Sequence, residues 1–107
     1  MIAPPGIDRV FLHNPGSNNT FVADDVDYEV LAGAGVFHFG YPPLMEKMFA
    51  EGGAELTDIF RRARETGATT SLDMALPDPN SPAGRVDWDA ILKKTLPCVD
   101  LFLPSIE

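Results

Sequence analysis

Residues 67–79 read GATTSLDMALPDP, and the fold turns on them. Gly67 stops one element; Thr69, Thr70, Ser71 and Leu72 form a short β-favouring run; Asp73 ends it. Pro77, Pro79, Pro82 and Gly84 then hold off the next helix. An acid at the carboxyl end of a buried strand, opening into a loop, is where open α/β sheets place ligand chemistry. Pattern alone supports a simple loop cap at Asp73 equally well.

On the amino side, residues 54–66 carry Leu56, Ile59, Phe60 and Ala63 at i, i+3, i+4 and i+7, one face of a helix. Arg61, Arg62 and Arg64 gather in its last turns, where the helix dipole and a solvated face explain them better than an anion site. On the carboxyl side, Asp87 is a good N-cap for a helix bearing Trp88, Ile91, Leu92 and Leu96, with Lys93 and Lys94 near its end and Pro97 closing it. Residues 99–103 (VDLFL) read as a strand. Residues 36–40 (VFHFG) are apolar apart from His38 and suit a strand buried on both faces. A lone histidine there reads as a hydrogen-bonded core residue before a catalyst.

The order is therefore strand, helix, strand, helix, strand, at a spacing of roughly 30 residues per βαβ unit. Two such units make a parallel sheet with right-handed crossovers. The expected class is α/β, a three-layer αβα, Rossmann-like, mostly parallel partial sheet. All three strands end on one edge, at Tyr41, Asp73 and Ser105.

Nearer the amino terminus the pattern is weaker. Residues 1–7 have no periodicity and are expected to be disordered. Residues 8–14 (DRVFLHN) read as a strand, closed by the turn-forming PGSNN of residues 15–19. Asp24 or Asp25 is placed to cap a helix running to Ala32 with Val26, Val30 and Leu31 on its apolar side, ended by Gly33 and Gly35. Residues 44–49 read as a helical turn or two before Gly52 and Gly53.

The 107 residues are one domain or part of one. A hydrophobic fraction of 45% and a charged fraction of 22% are those of an ordinary globular chain. A net charge of −8 argues against a nucleic-acid partner, because phosphate backbones need a basic face. The single cysteine, Cys98, has no internal disulfide partner and reads as a packing residue. No leader pattern follows Met1 and no apolar run approaches about 18 residues, so the expectation is a cytoplasmic protein with no membrane partner. Gly33-Ala34-Gly35 lacks the third glycine of a dinucleotide fingerprint and precedes a strand instead of following one. The acids of residues 23–27 (ADDVD) are explained by a helix start, and no Cys/His cluster has zinc spacing, so no metal ligand is assigned.

Four stretches in order carry a family resemblance: FLHNPGSNNTF, AGAGVFHFGYPPL, RRARETGATTSLDMALPDP and VDLFLPSIE. From about Asp8 onward the chain resembles the ribokinase-like (PfkB) carbohydrate kinases. Gly16-Ser17-Asn18 stand where that family has Gly-Ala-Asn, and Ser105 stands where it has the Asn of an Asn-x-x-Glu motif. Glu107 falls one residue before that motif's Glu and is not assigned as a ligand.

The resemblance implies a fragment of a sugar kinase, transferring the ATP γ-phosphoryl group to a sugar hydroxyl with Mg2+ bridging phosphate oxygens. It places Tyr41 and Asn18 at the sugar, and Asp73 and Ser105 near ATP and the transferred phosphate. A shorter hydroxyl at Ser105 departs from the family amide. The family's early Gly-Gly sugar segment and its later Gly-Ala-Gly-Asp segment, which carries the catalytic base, have no counterpart in these residues. No catalytic residue is therefore assigned, and residues 1–107 are expected to be the central part of one kinase domain, inactive alone. The partners implied are the sugar and ATP, with a homodimer as the expected self-association. The competing reading is a non-catalytic α/β module that binds a small ligand or a protein.

Overall fold

The computed structural model describes residues 1–105, so Glu107 and the end of the motif after Ser105 lie outside the described residues. Helix α1 (Tyr28–Ala32) leads into strand β1 (Val36–Phe39). A short helix α2 (Glu46–Phe49) and the long helix α3 (Ala54–Glu65) follow, then β2 (Thr69–Met74), α4 (Trp88–Thr95) and β3 (Leu101–Pro104). The three strands form one parallel sheet in the order β1-β2-β3. The chain is thus α/β, as its pattern of elements predicts.

Local chemistry explains the bounds. Asp87 caps α4, its Oδ1 accepting from Ala90 N at 3.0 Å. Gly67, at φ +90°, ends the segment after α3 in a conformation that other residues avoid. At α1 the expected cap moves: Asp27, not Asp24 or Asp25, accepts from Glu29 N and Val30 N. Asp24 and Asp25 instead form a 3₁₀ turn (Ala23–Asp25) ahead of it. Strand β3 starts at Leu101, two residues later than expected, because a 3₁₀ turn (Leu96–Cys98) ends α4 and Val99 N turns back to Leu96 O; Asp100 N already reaches across to Thr70 O of β2.

Sheet register sorts the side chains into two faces. Phe39 and Leu72 point to the helices and join Leu56, Ile59 and Phe60 of α3, Met48 of α2 and Ile91 of α4 in the core. Phe60 meets Phe37 and Phe39 edge-on, with centroids 5.6 and 6.1 Å apart. The opposite face holds His38, Ser71 and Leu101 in one register row, and Asp73 and Leu103 in the next. Val36, Leu101 and Leu103 are 58%, 53% and 49% exposed there. The described helices cover one face only. Two layers are therefore present among the described residues, where three were expected.

Two further expectations need correction. Residues 8–14 form no strand: the segment makes a single antiparallel bridge, Ile2 with Val10, and Phe11 and Leu12 stay exposed. No neighbouring strand satisfies its backbone, so β-propensity alone does not hold it. His38 is an exposed residue of the open face, not part of the core, because the alternation that buries Phe37 and Phe39 turns it outward.

The three helix arginines each pair with a carboxylate of this chain: Arg61 with Asp58 and Glu65, Arg62 with Asp24, and Arg64 with Asp100. Arg62 also lies over the Tyr28 ring at 4.1 Å. Burial raises the Tyr28 phenol above its ordinary value. No helix among the described residues is long and apolar enough to cross a membrane.

Candidate functional site

The carboxyl ends of the three strands lie side by side because the sheet is parallel and in sequence order. β1 leaves through Gly40 and a cis peptide to Tyr41, then enters a 3₁₀ turn (Pro42–Leu44) whose two prolines are buried. Tyr41 is exposed at this corner. Asp73 is next to last in β2 and half-buried. Ser105 follows β3 directly, and its backbone N–H donates to Met74 O at 2.9 Å. Tyr41, Asp73 and Ser105 therefore share one edge. Asn18 does not belong to it: it lies exposed on the 3₁₀ turn Gly16–Asn19, which Asn19 ties to α2 by accepting from Glu46 N at 3.1 Å.

Gly40 makes room for Asp73. A Cβ at Gly40 would come 3.0 Å from Asp73 Cβ and 3.2 Å from its carbonyl oxygen, tighter than most packing allows. A glycine here lets the two strand ends approach, which propensity rules do not foresee.

Pattern reading missed the polar row on the open face. Ser71 Oγ and His38 Nδ1 share a hydrogen bond at 3.0 Å, and His38 Nε2 stands 3.9 Å from Asp73 Oδ2. Register brings these residues together, since His38 pairs with Ser71 two positions before Asp73. The signal was present in the alternation of residues 36–39, read against residues 69–73. Serine, histidine and aspartate do not make a hydrolytic triad here, because Ser71 is only 3% exposed and cannot reach a substrate. The hydroxyl orients the imidazole, and a protonated imidazole would attract the Asp73 carboxylate.

Among the described residues, no three His, Cys, Asp or Glu gather to hold a metal ion. Asp73 could supply one carboxylate ligand to a magnesium ion that is itself held by phosphates. A triphosphate also needs cations or a nest of N–H donors. Tyr41, Asn18, Asp73 and Ser105 include no cation, so these four residues fit part of an ATP·Mg2+ site and do not complete one.

A cleft of about 880 Å³ opens beside this edge, between the turn before α2 and the loop after β2. Leu76 and Asp78 line it from the loop, but none of the four candidate residues does. In comparisons with family models, curated proteins and solved structures, nothing matches this chain.

Proposed function

We propose that this chain is the central segment of a ribokinase-like sugar kinase, with Tyr41 on the sugar side and Asp73 and Ser105 on the nucleotide side. The observation that carries the reading is the placement of Tyr41, Asp73 and Ser105 at the carboxyl ends of three adjacent parallel strands, the edge where open α/β sheets bind ligands. The uncovered face gives independent support, because parallel sheets are normally covered on both sides. In this role Asp73 would lie near the transferred phosphate and Tyr41 would donate or accept a hydrogen bond at a sugar hydroxyl. The segment has no group placed as general base, so phosphoryl transfer requires residues beyond it. Asn18 is the weakest assignment, since its turn sits against α2.

The test is the coding sequence on both sides of this reading frame. A Gly-Gly sugar segment upstream and a Gly-Ala-Gly-Asp segment downstream, in frame, are the expected result. An unrelated upstream region together with a stop codon after Glu107 would overturn it and leave a non-catalytic binding module.

A further inference from the structure

We propose that residues 1–14 form an arm that packs on the open sheet face of a second copy of this chain, in a reciprocal exchange. Met1, Ile2, Ile7, Val10, Phe11 and Leu12 are each more than half exposed on this arm. The bridge between Ile2 and Val10 is its one strand pairing among the described residues. No residue before Phe21 joins the hydrophobic core. The arm also draws the molecule out, to a radius of gyration of 14.8 Å against about 13 Å for a compact chain of this length. A segment this apolar is driven to cover other apolar surface.

The same chain carries the matching surface. Val36, Leu101 and Leu103 stand exposed on the uncovered side of the sheet. Area selects the arm as their cover. Two open faces meeting each other bury these three side chains from each copy, on the order of 400 Å² in all, well short of the roughly 1,200–2,000 Å² of a stable interface. Adding the six arm side chains of each copy brings the apolar area alone to on the order of 1,200 Å². Charge selects the arm as well. Asp8 and Arg9 cancel, so the net charge of −8 lies in residues 15–107, and two such bodies repel. Arg9, over the Phe11 ring at 5.6 Å, brings a cation to a face whose register rows include the Asp73 carboxylate. The arm's root points it toward another copy. His13 and Pro15 line the cleft with Phe49 and Ile91, on the helix-covered side of their own sheet and away from its open face. Exchange of arms is self-complementary and closes as a two-fold dimer. This inference does not rest on the kinase reading, which is decided by coding sequence and not by association.

The experiment compares the full chain by sedimentation equilibrium with an arm variant, Phe11→Ser/Leu12→Ser, and a face variant, Val36→Lys/Leu103→Lys. The natural chain is expected to form a dimer, and each variant to weaken that dimer at least about tenfold. An equimolar mixture of the two variants is expected to associate more tightly than either variant alone. In the mixture the intact arm of the face variant meets the intact face of the arm variant, a contact that neither makes with itself. Three results would overturn the proposal. A natural chain that stays monomeric means that no second copy covers the face. An arm variant that dimerises as tightly as the natural chain means that the arm is not the cover. A mixture no tighter than its components means that arm and face do not meet. Phe11 and Leu12 touch no core residue, so the comparison of arm variant and natural chain decides the question even where the face variant fails to fold.

Discussion

Asp100 Oδ2 accepts the backbone N–H of Thr70 at 2.9 Å, tying the residue before β3 to the second residue of β2. Asp100 N returns to Thr70 O at 3.0 Å, and the Thr70 hydroxyl donates to Cys98 O at 2.7 Å. Thr70 is fully buried, so each of these groups replaces a water that cannot reach it. The chain thereby enters β3 in register directly after the 3₁₀ turn Leu96–Cys98.

Removing the hydroxyl tests that junction. Thr70→Val keeps shape but leaves the Cys98 carbonyl without its donor, and is expected to cost about 1–2 kcal/mol. Urea unfolding at neutral pH measures it. A change within error of zero would show that the junction is held elsewhere.

The same contact sets a pH dependence. The Thr70 N–H holds the Asp100 carboxyl below the ordinary carboxylate range, assisted by Arg64 at 3.3 Å. A lowered folded value means that the unfolded chain takes up the proton first as pH falls. The contribution is therefore complete above the ordinary range and is lost as pH drops through the folded value. Melting temperatures of the natural chain and Asp100→Asn are expected to converge on acidification from about pH 6 to pH 3. A constant gap across that window would refute the assignment.

Gly53 couples the turn after α2 to α4. Its φ is +77°, and a Cβ there would meet Ile91 Cγ2 at 2.6 Å. Gly53→Ala adds backbone strain to overpacking and is expected to destabilise by about 1–3 kcal/mol. Chemical denaturation would detect this loss. Unchanged stability would mean that Ile91 and the turn readjust freely.

The open face predicts self-association. Val36, Leu101 and Leu103 present apolar surface on a sheet whose outer edges at β1 and β3 have no strand neighbour among the described residues. Sedimentation velocity is expected to show concentration-dependent association that a Val36→Lys/Leu103→Lys variant reduces. A natural chain that stays monomeric across the accessible concentration range would contradict this.

Tyr41 is testable in an enzyme that contains this segment with the remaining kinase motifs. Tyr41→Phe is expected to raise the sugar KM about tenfold, the weight of one hydrogen bond to substrate. Unchanged KM and kcat would remove Tyr41 from the sugar site.

Much of the sheet could be read directly from the chain. The 3.6-residue spacing of Leu56, Ile59, Phe60 and Ala63, the Asp87 cap and the stop at Gly67 are local signals, and the structure has α3 and α4 where they point. The order of elements then left a parallel sheet as the ordinary solution, with Tyr41, Asp73 and Ser105 on one edge. The apolar run in residues 8–14 misled because strand propensity needs a neighbouring strand, which tertiary structure does not provide there.

Only the folded chain decided which side of that sheet is covered. Alternation in residues 36–39 separates two faces, but covering either depends on where distant helices pack, and here they pack on the Phe39 and Leu72 side. The exposure of His38, its bond to Ser71, the close approach of Gly40 to Asp73 and the cleft all follow from that choice. Each joins residues far apart in the chain, and a local pattern holds no information about a distance between segments it does not connect.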